Sequence, residues 1–238
     1  MKNNTRLHWA DALRGIFILM MVVYHFVFDL HYFGVISQNV SEGAWTIFSH
    51  LIQFGFFGLV GFSLHLSYRR SGYRPFLKRQ FKRAGLVLLV ALAISLATTF
   101  ALPGGAIWFG ALHFIAVAIA LGAVLIPYPM ILALSVIPIY LLGEWFADLS
   151  VSHLWLLPLG IVPVNYGSLD YFPLFPWLSL VFLGILVAHW MEKRSLLRNP
   201  QKLPRIHSLE FLGRHSLLIY VLHQPILFGG LWLIFLLR

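Results

Sequence analysis

The chain has 238 residues, of which 60% are hydrophobic and only 11% charged, and its mean hydropathy is +0.83. A water-soluble domain of this length needs a charged surface over most of its area, so the composition excludes one and makes lipid the solvent. The lack of cysteine excludes disulfides, thiolate metal sites and a cysteine nucleophile, and the net charge of +9 sits in clusters between long apolar runs, which points to membrane orientation and not to nucleic acid.

A spanning helix needs roughly 20 largely apolar residues. The hydropathy pattern predicts spans near 12–34, 44–67, 81–101, 107–126, 130–147, 172–190 and 214–236. The first follows a basic stretch, as a signal peptide does. It is long, however, carries Arg14, His25 and Asp29, and has no small-residue cleavage signal, so it reads as an uncleaved span. Between the fifth and sixth spans, 151–163 is apolar but short and holds Pro158 and Pro163.

Charge decides how that short piece is treated. The basic clusters run from Lys2 to Arg14, Arg69 to Arg83 and Lys193 to Arg214. Seven spans with the N-terminus inside put 16 of the 17 Lys and Arg in the cytoplasm, leaving Arg238 outside. Counting 151–163 as a full span would move the third cluster outside, against the positive-inside bias. It is therefore expected to be interfacial or re-entrant on the outer face, where protein or water must satisfy its backbone. Asp29, Glu42, Glu144, Asp148 and Asp170 fall on that outer side. The expected fold class is all-α, a polytopic integral membrane helical bundle forming one domain over 1–238. The inner loop 69–83 reads as short and basic, and 192–210 as the one linker-like stretch.

Taken in chain order, the first span carries the chemistry. Arg14 and His25 are eleven residues apart, which places them ~20° apart on one helix face and ~16 Å apart along the axis. Asp29 follows His25 at i+4, where its carboxylate can orient the imidazole. Polar groups at mid-bilayer are costly and suggest a functional site by default, whereas a single histidine there often does no more than hydrogen-bond a neighbouring helix. In the second span Gly55, Gly58 and Gly61 recur every third residue and permit close packing. Arg79 and Arg83, at i and i+4, stand out of the following basic run as a pair suited to phosphate; the rest reads as positive-inside charge. His113 lies in the outer half of the fourth span. Asp170 and Tyr171 precede the sixth, a position that also suits a plain helix start with an aromatic belt. His223 and Gln224 lie midway along the last, beside Pro225. By depth alone, His25, Asp29, His113, Asp170, His223 and Gln224 are expected near the outer half of one cavity. No serine or threonine nucleophile motif is present, and the histidine spacings make no metal site.

The motifs DALRGIFILMMVVYHFVFDL, GFSLHLSYRR, FGALHFIAVA, DYFPLFPW and GRHSLLIYVLHQP together resemble bacterial relatives of the catalytic domain of heparan-alpha-glucosaminide N-acetyltransferase. The Arg14/His25 and Arg79/Arg83 spacings are also similar to those of the wider transmembrane acyltransferase superfamily. The resemblance implies acyl transfer across a bacterial cytoplasmic membrane, with the N-terminus cytoplasmic and the C-terminus outside. Acyl-CoA, in the first instance acetyl-CoA, docks from the cytoplasm with its phosphates on Arg14, Arg79 and Arg83. The acyl group passes to an extracytoplasmic sugar amine or hydroxyl. His25 is then the general base or the acyl-accepting residue, Asp29 its orienter, and Gln224, His223 or His113 a holder of the oxyanion. The implied partners are lipid, acyl-CoA and a glycan acceptor, and a homo-oligomer is allowed. The same intramembrane polar groups also suit a small transporter or flippase of a lipid-linked or sugar substrate, or a non-catalytic membrane scaffold.

Overall fold

The computed structural model describes residues 7–37, 40, 42–101, 105–197 and 205–237. Lys2, Arg6, Arg198, Lys202 and Arg238, which enter the charge count, lie outside them. Eight α-helices account for the fold: α1 (His8–Tyr32), α2 (Ala44–Arg70), α3 (Tyr73–Ala101), α4 (Ala111–Leu125), α5 (Pro129–Ala147), α6 (Leu174–Lys193), α7 (His207–Arg214) and α8 (Ser216–Leu236). All of these except α4 and α7 are long and apolar enough to cross a membrane. The chain is an all-α polytopic membrane protein.

It forms two compact units. One runs to Phe56 and resumes at Leu197; the other spans Phe57–Leu196. In the first, α1 buries Ala10, Asp11, Gly15, Ile18, Met21 and Asp29, a stripe at helical spacing. Leu13, Ile16, Leu19, Val23 and Phe26 lie off that stripe and are exposed, as a lipid-facing side requires. Ile18 and Met21 pack with Ile52 of α2, ringed by Leu212, Ile219 and Tyr220. The backbones of α1 and α7 touch: a Cβ on Gly213 would sit 1.8 Å from the Asp11 carbonyl oxygen, so only glycine fits there. On α8 the one buried residue is His223.

In the second unit α4 is the central element. Of its 15 residues, ten are buried, so it is covered nearly all round, as a core helix is. At ~22 Å it is shorter than a hydrocarbon core of ~30 Å. The span expected over 107–126 thus gives a shorter helix, because residues 105–110 are not helical. Phe57, Phe114, Phe172 and Trp177 pack edge to face around α4, with ring centroids 4.6–5.7 Å apart. On α2, a Cβ at Gly61 would strike the Val181 carbonyl of α6, and Gly184 of α6 meets Gly58 in the same way.

One local expectation changes and one is given its form. The basic stretch 69–83 is not a loop: α2 ends at Arg70, α3 begins at Tyr73, and only Ser71 and Gly72 intervene. Phe76, Gln80, Ala84, Val87 and Ala91 form a buried stripe along α3, so the basic residues ride on its other faces. The segment 151–163, expected to be interfacial or re-entrant and not a span, folds into a compact turn. A 3-10 turn at Leu154–Leu159 is flanked by Ser150–Val151 and Val162–Pro163, which pair in parallel. The Tyr171 hydroxyl donates to the Leu157 carbonyl at 2.8 Å, one way irregular backbone is satisfied.

Candidate active site

Within the first unit the structure brings four of the expected residues together on α1 and α8. The His25 and His223 rings meet edge to face, 4.8 Å between centroids. His25 Nδ1 lies 2.9 Å from the Met21 carbonyl oxygen, and His223 Nδ1 lies 2.7 Å from that of Tyr220. A carbonyl only accepts, so each Nδ1 carries the proton and donates it. In the neutral rings both Nε2 atoms therefore keep their lone pairs. His223 Nε2 is buried and has no partner among the described residues.

Asp29 is wholly buried. Its Oδ1 accepts from Gln224 Nε2 at 2.7 Å, while its Oδ2 and the Gln224 Oε1 have no partner among the described residues. The i+4 contact expected between Asp29 and His25 is not what orients the imidazole: the Met21 backbone does that, and Asp29 turns to α8 instead. Pro225, next along α8, has no N–H and leaves the Val221 carbonyl without its helical bond. The result is a set of acceptors that lack hydrogen: Asp29 Oδ2, Gln224 Oε1 and His223 Nε2. An unpaired buried acceptor costs roughly 1–3 kcal/mol, so three on neighbouring residues of α1 and α8 suit a ligand that brings donors.

Arg14, at the other end of α1, donates from Nη1 to Asp11 Oδ1 at 3.0 Å. Nearby, Glu210 of α7 is buried (1% exposed) and binds Arg205, Arg214 and His8 at 2.8–3.2 Å. Chiefly the hydrogen bonds from Arg205 hold its carboxyl down at about 2. Sequence reasoning did not single out this hub. The signal was present: Asp11 and Glu210 fall inside the basic clusters, Glu192 borders the third, and each of the three is ion-paired with arginine.

The remaining expected residues belong to the second unit. Asp170 Oδ2 accepts the Ala111 N–H at 3.0 Å, capping the start of α4. The residue before the helix, Gly110, has no side chain to cap it. A Cβ there would come within 2.3 Å of the Asp170 carboxylate, so the glycine makes room for the borrowed cap. His113 Nδ1 accepts the Gly110 N–H at 3.3 Å. Its proton is therefore on Nε2, 3.3 Å from Ser95 Oγ, whose own proton goes to the Ile107 carbonyl. These directions are the reverse of those needed for His113 to activate Ser95. Arg79 Nη2 donates to Ser71 Oγ, and Arg83 is exposed. Among the described residues no group of three His, Cys, Asp or Glu is placed to hold a metal ion.

Residues 6–225 match the family described as heparan-alpha-glucosaminide N-acetyltransferase, catalytic. No curated protein and no solved structure matches the chain. With a match over nearly its whole length, the chain belongs to this family of membrane acetyltransferases.

Proposed function

We propose that the protein transfers an acetyl group from cytoplasmic acetyl-CoA to the amine of an extracytoplasmic amino sugar, with His25 as the reacting histidine. The observation that carries this reading is the set of hydrogen-poor acceptors beside two histidines that donate from Nδ1 and so keep a lone pair on Nε2. An ammonium brings three donors to such a place; a hydroxyl brings one. Asp29 and Gln224 hold the nitrogen. One proton passes from it to the His223 Nε2 lone pair, exposing the nitrogen lone pair, which attacks the thioester carbonyl. The C–N bond forms, the C–S bond breaks, and His25 Nε2 takes the second N–H proton and returns it to the departing thiolate. An acetyl-imidazole on His25 is the two-step form of the same transfer.

Several groups support this chemistry. His223 stabilises the oxyanion once its ring carries a proton, and His113 and Asp170 keep α4 and its neighbours in register. Arg79 and Arg83 are assigned to the donor's phosphates. The charge distribution supports a bacterial cytoplasmic membrane with the N-terminus inside.

The test uses purified protein in lipid nanodiscs with acetyl-CoA. An amino sugar should be acetylated at nitrogen, with a far higher kcat/KM than the matching sugar that carries a hydroxyl at that carbon. His25→Ala should abolish transfer while the helix content survives. Normal turnover by that variant, or equal use of both sugars, would sink the reading.

A further inference from the structure

The second unit holds a cluster of ionisable groups, rooted on a buried histidine, that the proposed reaction does not use. His65 of α2 is buried (3% exposed), and its Nε2 lies 2.6 Å from Glu192 Oε2 of α6. The carboxylate accepts, so the imidazole donates. The other oxygen, Oε1, binds Nε of Arg69. His189, one turn before Glu192, meets the His65 ring edge to face at 5.5 Å. Both carboxylate oxygens are thus engaged, and Arg69 is gripped by the nitrogen nearest its stem. Its two terminal amino groups remain for another acceptor.

A pin between α2 and α6 does not require these groups. The helices already touch at Gly61 and Gly184, and an apolar pair holds a seam at least as well as a buried ionic one. What the ionic network adds is direction: it fixes a guanidinium that is itself 36% exposed. Two residues on, Ser71 accepts from Arg79, which ties a second guanidinium to the same short turn. The stretch 69–83 has seven basic residues and no acidic one, so the turn suits an anion, and the guanidinium fork suits phosphate best.

We propose that Glu192, backed by His65, is a positioning residue that sets Arg69 to receive a phosphate at the α2–α3 turn, and that this phosphate belongs to the nucleotide end of the acyl donor. The proposal rests on the reading that the donor is a coenzyme A thioester. A lipid headgroup offers the same phosphate chemistry, so the experiment has an arm for it.

The full chain is reconstituted in nanodiscs, and coenzyme A and pantetheine, which lacks the nucleotide, are titrated calorimetrically. Glu192→Gln and Arg69→Gln should each weaken coenzyme A binding about tenfold or more, the scale of a lost charge-assisted bond. Pantetheine binding should not change. His65→Gln, which keeps a donor for Glu192, should stay closer to wild type than His65→Phe. If Arg69→Gln does not fold, Glu192→Gln carries the comparison, since it keeps the shape. Wild-type affinity for coenzyme A in both variants would overturn the proposal and leave the donor reading standing. No binding of coenzyme A by the wild type would remove the donor reading, and this proposal with it. If the variants lose retained phosphatidylglycerol in native mass spectrometry while coenzyme A affinity holds, the phosphate is a lipid's and the proposal falls.

Discussion

His25 and His113 are both histidines on apolar helices, one in each compact unit, and their hydrogen bonds run in opposite directions. His25 gives its Nδ1 proton to a carbonyl of its own helix and keeps a lone pair on Nε2. His113 accepts a backbone N–H on Nδ1 and spends its Nε2 proton on Ser95. His25 is left open to take a proton, while His113 is closed into the start of α4. Composition cannot tell the two apart; the partner of a single ring nitrogen does. The carboxylates divide in the same way. Asp29 has an oxygen to spare, whereas Asp170 holds a helix start.

The sharpest way to break this comparison is to exchange the histidines' fates. His25→Ala should lower kcat by roughly 10²–10⁴-fold, the usual worth of a positioned acid–base group, in a protein of unchanged circular dichroism. His113→Asn should cost less than about tenfold in kcat and show itself in thermal stability instead, by about 1 kcal/mol, the net worth of one hydrogen bond. Equal losses in the two variants would erase the distinction.

Next in size is Asp29→Asn, which keeps the shape but removes the charge and an acceptor. The KM for an amine acceptor should rise by about 10- to 100-fold, the equivalent of roughly 1.5–3 kcal/mol for a bond to a charged group. The KM for acetyl-CoA should stay put. A matching rise for the donor would show that Asp29 does not face the acceptor.

Smaller again is the α4 cap. Asp170→Ala should cost about 1 kcal/mol in denaturant unfolding, as lost caps do, and Gly110→Ala should cost at least as much, because its Cβ displaces the same carboxylate. If Gly110→Ala were neutral, the borrowed cap would not be what holds α4.

The smallest effect is local and depends on acid. Glu210 is held at about 2, below its ordinary 4.5, so its contribution is complete above about 4.5 and is lost as pH falls towards 2. Amide protection along α7, followed by hydrogen exchange, should be level down to about pH 4.5 and then decline, with the α8 amides around His223 less affected. In Glu210→Gln the protection should already be low at neutral pH. Level protection down to pH 2, or full protection in the variant, would remove Glu210 as the anchor of α7.

Much of this was legible in the chain. Every apolar run expected to span is a helix, because lipid leaves the backbone little choice. The alignment of Arg14, His25 and Asp29 on one face follows from helical spacing alone. The partners across helices were not legible. Depth suggested His223 and Gln224 near His25, but periodicity carries no information on which oxygen of Asp29 meets which amide. Asp29 was expected to serve His25; its own helix offered the Met21 carbonyl closer at hand. The early start of α3 was hidden by its charges, although Phe76, Gln80 and Ala84 already kept a helical interval. Asp11, Glu192 and Glu210 were visible as acids in basic surroundings, yet their arginine partners come from distances in sequence that no local pattern spans.

The brevity and near-complete burial of α4 bear on how the chain enters its membrane. A segment of ~22 Å cannot settle alone in a ~30 Å hydrocarbon layer without leaving backbone groups at its ends exposed to lipid. Its first turn is completed by Asp170, nearly sixty residues later in the chain, and its flank by α3, which precedes it. Insertion therefore has an order: α3 goes in first and shelters α4, and α4 acquires a finished end only when the stretch before α6 has been made. Until then the first turn of α4 lacks the carboxylate that caps it.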